Sequence, residues 1–130
     1  MSFILNIETA TKNCSVSIAK DGKTIVCSEL AVEGYSHAEK LHVFIEEVIA
    51  KAGISVQDLN AIAVSQGPGS YTGLRIGVSA AKGLCYALNI PLIAVDTLKT
   101  LASQAEVTDG KIIPMLDAPR MEVYSALYYP

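Results

Sequence analysis

What this chain lacks narrows it first. No cluster of Lys and Arg occurs, and the net charge is −3, which argues against strong unaided binding to nucleic acid, because phosphate contacts need grouped cations. No basic stretch precedes the first apolar run, which Asn6 and Glu8 interrupt, so it reads as neither signal peptide nor membrane span. A cytosolic protein is expected. Cys14, Cys27 and Cys85 are scattered and form no C-x-x-C pair, so they read as small buried hydrophobes in a reducing compartment. Repeats, low-complexity tracts and linkers are absent as well. With 51% apolar and 18% charged residues in 130, disorder is excluded and a single domain with a real core is expected.

Four familiar site signatures are missing too. No G-x-S-x-G elbow is present. His37 and His42, the two histidines, stand five residues apart, which on a helix turns them about 140° from one another. They cannot form the i, i+4 zinc pair of a helical metalloprotease. The glycine-rich stretch Gly67-Pro-Gly-Ser-Tyr-Thr-Gly-Leu-Arg-Ile-Gly77 has no Lys where a P-loop requires one, and from Gly67 the sixth place is Thr72 rather than a dinucleotide glycine.

That stretch is nonetheless the feature that organises the chain. It joins a buried strand at Ala61–Ser65 to a helix over Thr72–Leu88, an arrangement that can aim backbone N–H groups at an anion or simply redirect the chain. Gly73, Gly77, Ala80, Ala81 and Ala87 fall near one helix face. Leu74, Val78, Ala81, Cys85 and Leu88 mark an overlapping apolar face, and Arg75, Ser79, Lys82 and Tyr86 a narrow polar stripe. Each of Gly73, Gly77 and Gly83 costs a helix about 0.5–1 kcal/mol relative to Ala. The compensation expected is close approach of another backbone, belonging either to the chain's own sheet or to a second subunit. Arg75 and Lys82 either meet a partner's carboxylates or are solvated.

Around this stretch the chain opens with three antiparallel strands, Phe3–Thr9, Asn13–Lys20 and Lys23–Ala31, the last two joined by an Asp21-Gly22 hairpin turn. That turn places Cys14 diagonal to Cys27 on one face, roughly 7–8 Å apart and too far for an easy disulfide. A connection at Val32–Tyr35 leads to a Ser36–Glu39 capping box and a helix ending at Gly53, with core positions at Leu41, Phe44, Ile45, Val48, Ile49 and Ala52. After a turn at Ser55–Leu59 and the central unit come a strand at Pro91–Val95 and a helix at Leu98–Ala105 capped by Asp96 or Thr97. A loop at Val107–Gly110 and strands at Lys111–Leu116 and Met121–Tyr128 close the pattern. The order βββαβαβαββ predicts an α/β domain of ribonuclease-H-like type, a mixed sheet with helices on its faces. Among acids, Glu8 at the end of the first strand, beside the hydroxyls of Thr9 and Thr11, is the candidate for holding Mg²⁺ or water. Asp96 and Asp117 are the acids that could converge on it.

Several segments together resemble the amino-terminal domain of the bacterial TsaB (YeaZ) family. They are Ile7-Glu8-Thr9-Ala10-Thr11 with Cys14-Ser15-Val16, Ser36-His37-Ala38-Glu39, the Gly67–Gly77 string, Val95-Asp96-Thr97-Leu98 and Asp117-Ala-Pro-Arg-Met-Glu-Val-Tyr124. The resemblance implies the actin-like and Hsp70-like ATPase superfold. It also implies a non-catalytic subunit of the machinery that makes N6-threonylcarbamoyladenosine at position 37 of tRNA. Such a subunit would support a paralogous TsaD-type catalytic subunit, joined by a TsaE-type ATPase, and would meet tRNA only through the complex. The partner surface it implies comprises Gly73, Arg75, Ile76, Gly77, Ala80, Lys82 and Gly83, with Val43 on the preceding helix, and the same surface would serve a homodimer. Glu8 stands where the family more often has Asp, which leaves Glu8, Thr9 and Thr11 as a residual ATP or Mg²⁺ site. The family's usual second domain is expected to be absent here. The rival expectations are an ATP-dependent phosphotransferase or peptidase-like enzyme in its own right, and a self-associating regulator.

Overall fold

Alternation builds the sheet. Along β1 (Phe3–Glu8) the side chains of Leu5 and Ile7 are buried while Asn6 and Glu8 face the other way and are only partly covered. In β2 (Asn13–Lys20) Cys14, Val16 and Ile18 are fully buried, and in β4 (Ala61–Gly67) so is Ile62, with Val64 close behind. With β3 (Lys23–Ala31) and β5 (Leu92–Asp96) these strands form one sheet in the order β3-β2-β1-β4-β5. β1, β2 and β3 pair antiparallel, and β1, β4 and β5 pair parallel. The computed structural model describes residues 2–10, 13–31, 37–103, 113, 115–118 and 122–125. The mixed α/β architecture expected from the sequence is the one formed.

The buried sheet face is covered by α1 (His37–Ala52), which lies over β2 and β3, and by α2 (Tyr71–Leu88), which lies over β4 and beside α1. Leu41, Ile45 and Val48 of α1 and Ala81 and Cys85 of α2 form one buried cluster with Leu5, Val16, Ile18, Ile62 and Val64 of the sheet. Burying an aliphatic side chain of this kind contributes about 1.5–3 kcal/mol, so this two-helix layer supplies most of the cohesion. Both helices stop in the same way. Past α1, Gly53 takes φ 71° while its N–H reaches Ala50 O (3.1 Å) and that of Ile54 reaches Ile49 O (3.4 Å). Past α2, Asn89 takes φ 55° and Ile90 N–H reaches Cys85 O (3.1 Å). These are left-handed C-terminal caps, which only Gly and Asn adopt readily. Asp96 accepts the Lys99 N–H (3.0 Å) and so caps α3 (Thr97–Ser103), one of the two alternatives for this turn.

The last two strands, β6 (Met115–Ala118) and β7 (Glu122–Ser125), pair with each other as an antiparallel ribbon. Asp117 and Ala118, where the sequence suggests a turn over residues 117–120, belong to β6, in which Asp117 pairs with Val123. The expected Ser36 cap, the Val32–Tyr35 connection and the Val107–Gly110 loop lie outside the described residues. Among the described residues no helix is long and apolar enough to cross a membrane.

One register detail overturns an expectation. Asp21 (φ 51°) and Gly22 (φ 85°) form the tight turn, which by itself would set Val16 opposite Cys27. A shift between Ile18 and Ala19 pairs Ile18 with Val26 and Ala19 with Thr24, leaving Ile25 without a partner. One extra residue in a strand moves everything beyond it to the other face. Ser17 therefore faces Cys27, which is exposed, while Cys14 and Cys85 are buried. Burial pushes the Cys14 and Cys85 thiols up, so the thiolate that reacts is disfavoured at both. Native protein titrated with an aromatic disulfide near neutral pH should release one equivalent promptly, from Cys27, and three after denaturation. A Cys27→Ser variant should abolish the prompt phase.

The three helical glycines differ in what surrounds them. A methyl at Gly73 would overlap the Thr9 carbonyl oxygen, and one at Gly77 the Thr9 Oγ1, whereas one at Gly83 meets nothing within 4 Å. Urea melts should show Gly73→Ala and Gly77→Ala destabilised by about 1–3 kcal/mol or more through overpacking. Gly83→Ala should be stabilised by about 0.5–1 kcal/mol through helix propensity.

Candidate functional site

The end of β1 and the start of α2 are built into one another. Ser70 caps α2 by accepting the Gly73 N–H (3.2 Å), and its own N–H reaches the Ala10 carbonyl (2.6 Å). Gly69, at φ 155°, leaves room for Ala10, whose carbonyl oxygen would lie 2.5 Å from a Cβ there. The Thr9 hydroxyl donates to the Gly73 carbonyl (2.6 Å). The glycine string is thus a packing device. It lets a helix backbone lie directly on a strand end, and it places one of the orphan N–H groups of the helix start on the Ser70 hydroxyl instead of a ligand.

Three expected site residues are corrected by this contact. Gly73 and Gly77 belong to the inner face of α2, buried on Thr9, and not to a surface another protein can reach. The physical reason is spacing: four positions apart, both glycines share the face that meets β1. Thr9 itself is 1% exposed with its hydroxyl engaged, so it is a lock between β1 and α2 and not a ligand for nucleotide or metal. Thr11 lies outside the described residues.

On the polar side of the sheet is an open hollow of about 490 Å³, floored by Asn6, Glu8, Ser15, Ser17, Ala63 and Ser65 and edged by Thr100 of α3. Glu8 is the expected residue that does face it. Its carboxylate is occupied on both sides: one oxygen accepts the Ala10 N–H (2.9 Å) and the other the Ser65 hydroxyl. This ties the end of β1 to β4. Glu29 lines the same hollow, across Ser15 from Glu8, and of the expected nucleotide-site residues Glu8 is braced on both oxygens while Thr9 is turned inward. Among the described residues no group of three or more His, Cys, Asp or Glu could hold a metal ion.

The outer face of α2 is different in kind. Tyr71, Arg75, Ser79, Lys82 and Tyr86 fall within an arc of about 80° at 100° per residue. All five are exposed, Tyr71 by 78% and Tyr86 by 92%. Gly83 is exposed beside them, and Ile76 and Ala80 are half-buried along the edge towards α1. There a shallow groove of about 550 Å³ is lined by His42 of α1 together with Tyr71, Thr72, Arg75, Ile76, Ser79 and Ala80. Val43, 55% exposed, stands next to His42 on α1. Of the expected partner surface, the structure therefore gathers Arg75, Ile76 and Ala80 at the groove, sets Lys82, Gly83 and Val43 on the exposed helix surface, and removes Gly73 and Gly77.

His42 and Tyr71 were not legible as members of this surface. Tyr71 needed the helix to start one residue earlier than Thr72, and the capping serine at position 70 is the signal that could have set that start. His42 needed the angle at which α1 lies beside α2, which no local pattern carries.

Residues 31–129 match the family described as TsaD: tRNA N6-adenosine threonylcarbamoyltransferase. The tRNA threonylcarbamoyladenosine biosynthesis protein TsaB of Escherichia coli (strain K12) is 38% identical over 127 residues, covering 96% of this chain and 54% of that protein. The solved structure of YeaZ from Pseudomonas aeruginosa is similar at a TM-score of 0.91 with 32% identity, over 100% of this chain and 61% of that one. RuvC of T. thermophilus in complex with a Holliday junction substrate shares the fold alone, at a TM-score of 0.54 and 10% identity over 82% of this chain and 71% of that one. These likenesses make the fold ribonuclease-H-like, of the actin-like ATPase type. The chain spans a little over half the length of the curated TsaB relative. It belongs to the TsaB (YeaZ) branch of the family that the TsaD model describes.

Proposed function

We propose that this chain acts as a non-catalytic, partner-binding subunit in the biosynthesis of tRNA threonylcarbamoyladenosine, docking a TsaD-type catalytic subunit on the outer face of α2 and the adjoining edge of α1. The observation that carries this reading is the exposed α2 face itself. Two tyrosines flank its cations, and a groove bordered by half-buried Ile76 and Ala80 runs beside it. Large aromatics and Arg left in water on a helix stocked with small residues are the composition of an interface centre. Glu8 supports the same reading, since a carboxylate braced between Ala10 and Ser65 holds the sheet together. A TsaE-type ATPase joins through the catalytic subunit, tRNA is met only within the complex, and the complex is cytoplasmic. In the absence of the partner the same face serves a weaker homodimer.

The test is co-purification with a TsaD-type subunit from the same genome, followed by reconstituted threonylcarbamoylation. Gly77→Leu is unsuitable, because its side chain would be driven into Thr9. Ala80→Arg at the half-buried edge of the groove and Val43→Glu on the exposed surface of α1 both place charge at the face. Both should abolish co-purification and lower tRNA modification at least about tenfold, the scale of a lost hot spot, with unchanged melting curves. Full association by both folded variants would refute the docking face.

A further inference from the structure

Charge on α2 is distributed unlike charge in the rest of the chain. The helix carries Arg75 and Lys82 and no acidic residue, in a protein of net charge −3. Both cations are exposed. Among the described residues the ion pair that forms is Lys51 with Glu47 on α1 (2.7 Å), and neither cation of α2 has a carboxylate partner. A solvated lysine alone is unremarked surface chemistry. Here, however, the cations lie between two almost fully exposed tyrosines, and His42 lines the same groove as Arg75. The face is therefore aromatic and basic, without a negative group on its own helix to neutralise it.

We infer that the partner's docking face is acidic, a helix surface presenting carboxylates to Arg75 and Lys82. The inference rests on the docking reading above and adds the chemistry of the occupant. Complementary charge across an interface sets the encounter rate and suppresses wrong partners more than it adds raw affinity. Arg75 beside Tyr71 is suited to a bidentate carboxylate contact that a lysine would not reproduce. The same charges act against self-association. A two-fold axis that lays α2 on α2 brings Arg75 and Lys82 of one copy towards those of the other, and repulsion in place of pairing is how an interface rejects an unwanted partner. On the neighbouring α1, Glu46 is exposed and Glu47 is paired with Lys51.

The experiment titrates the full chain with the TsaD-type subunit at low and high salt and measures self-association by sedimentation. The double variant Arg75→Glu/Lys82→Glu is compared with Ala80→Arg and wild type. Reversing two exposed charges should weaken heterologous association at least about tenfold, mostly through a slower on-rate. It should not tighten self-association, because glutamates facing glutamates across the two-fold axis repel as the cations do. Wild-type affinity should fall severalfold between about 0.05 M and about 0.5 M salt as the charges are screened. An affinity indifferent both to reversal and to salt overturns the acidic partner. If Ala80→Arg still abolishes binding in that case, the docking face stands and only its chemistry is refuted. If Ala80→Arg also binds normally, the docking face itself is refuted. Tight binding of tRNA to the isolated chain that the double variant abolishes would overturn the inference in favour of nucleic acid as the occupant.

Discussion

The structure hangs on a backbone-to-backbone contact between the end of β1 and the first turns of α2. Thr9 is the centre of it. Its hydroxyl donates to the Gly73 carbonyl, its own carbonyl fills the space where a Gly73 side chain would be, and its Oγ1 does the same at Gly77. Such an approach is open only to a helix with glycine at two successive turns, because any Cβ would separate the chains. The hydroxyl then satisfies a polar demand that the approach creates, since a buried threonine without a partner would cost about 1–3 kcal/mol. Once α2 is seated in this way its rotation about its own axis is set, and the opposite arc must face outward.

A two-faced sheet follows from the same geometry. One side is closed by α1 and α2 over an aliphatic layer, and the other keeps Asn6, Glu8, Ser15, Ser17 and Ser65 around an open hollow. In that hollow Glu8 stands at the place where an acid could serve chemistry, at the end of β1 beside a parallel neighbour. Its oxygens are instead committed to Ala10 and Ser65. An acid bound to its own scaffold on both oxygens stiffens the strand pair.

What the seating of α2 leaves outside is a basic and aromatic face. The low charge of the helix has two separate causes. Its inner half is glycine and alanine because it meets a strand end at close range, and its outer half holds two cations and two tyrosines exposed to water. Sequence alone merges these into one impression of a helix made for burial against a partner. Tertiary structure divides them, since the small residues serve the chain's own fold and the large polar ones remain free for contact.

The sequence by itself determined the elements and their order. Period-two alternation in β2, the Asp21-Gly22 turn, the Leu41–Val48 stripe and the glycine after α1 are local signals, and each survives because it is encoded within a few residues. Tertiary structure decided which way those elements face. A single unpaired Ile25 moved Cys27 to the opposite side of its strand. Equal helical glycines became two buried contacts and one open position according to whether Thr9 lay opposite. His42 entered the groove through the placement of α1 beside α2. The reason is common to all three: orientation depends on partners distant in the chain, and a local pattern specifies a face without naming what will lie against it.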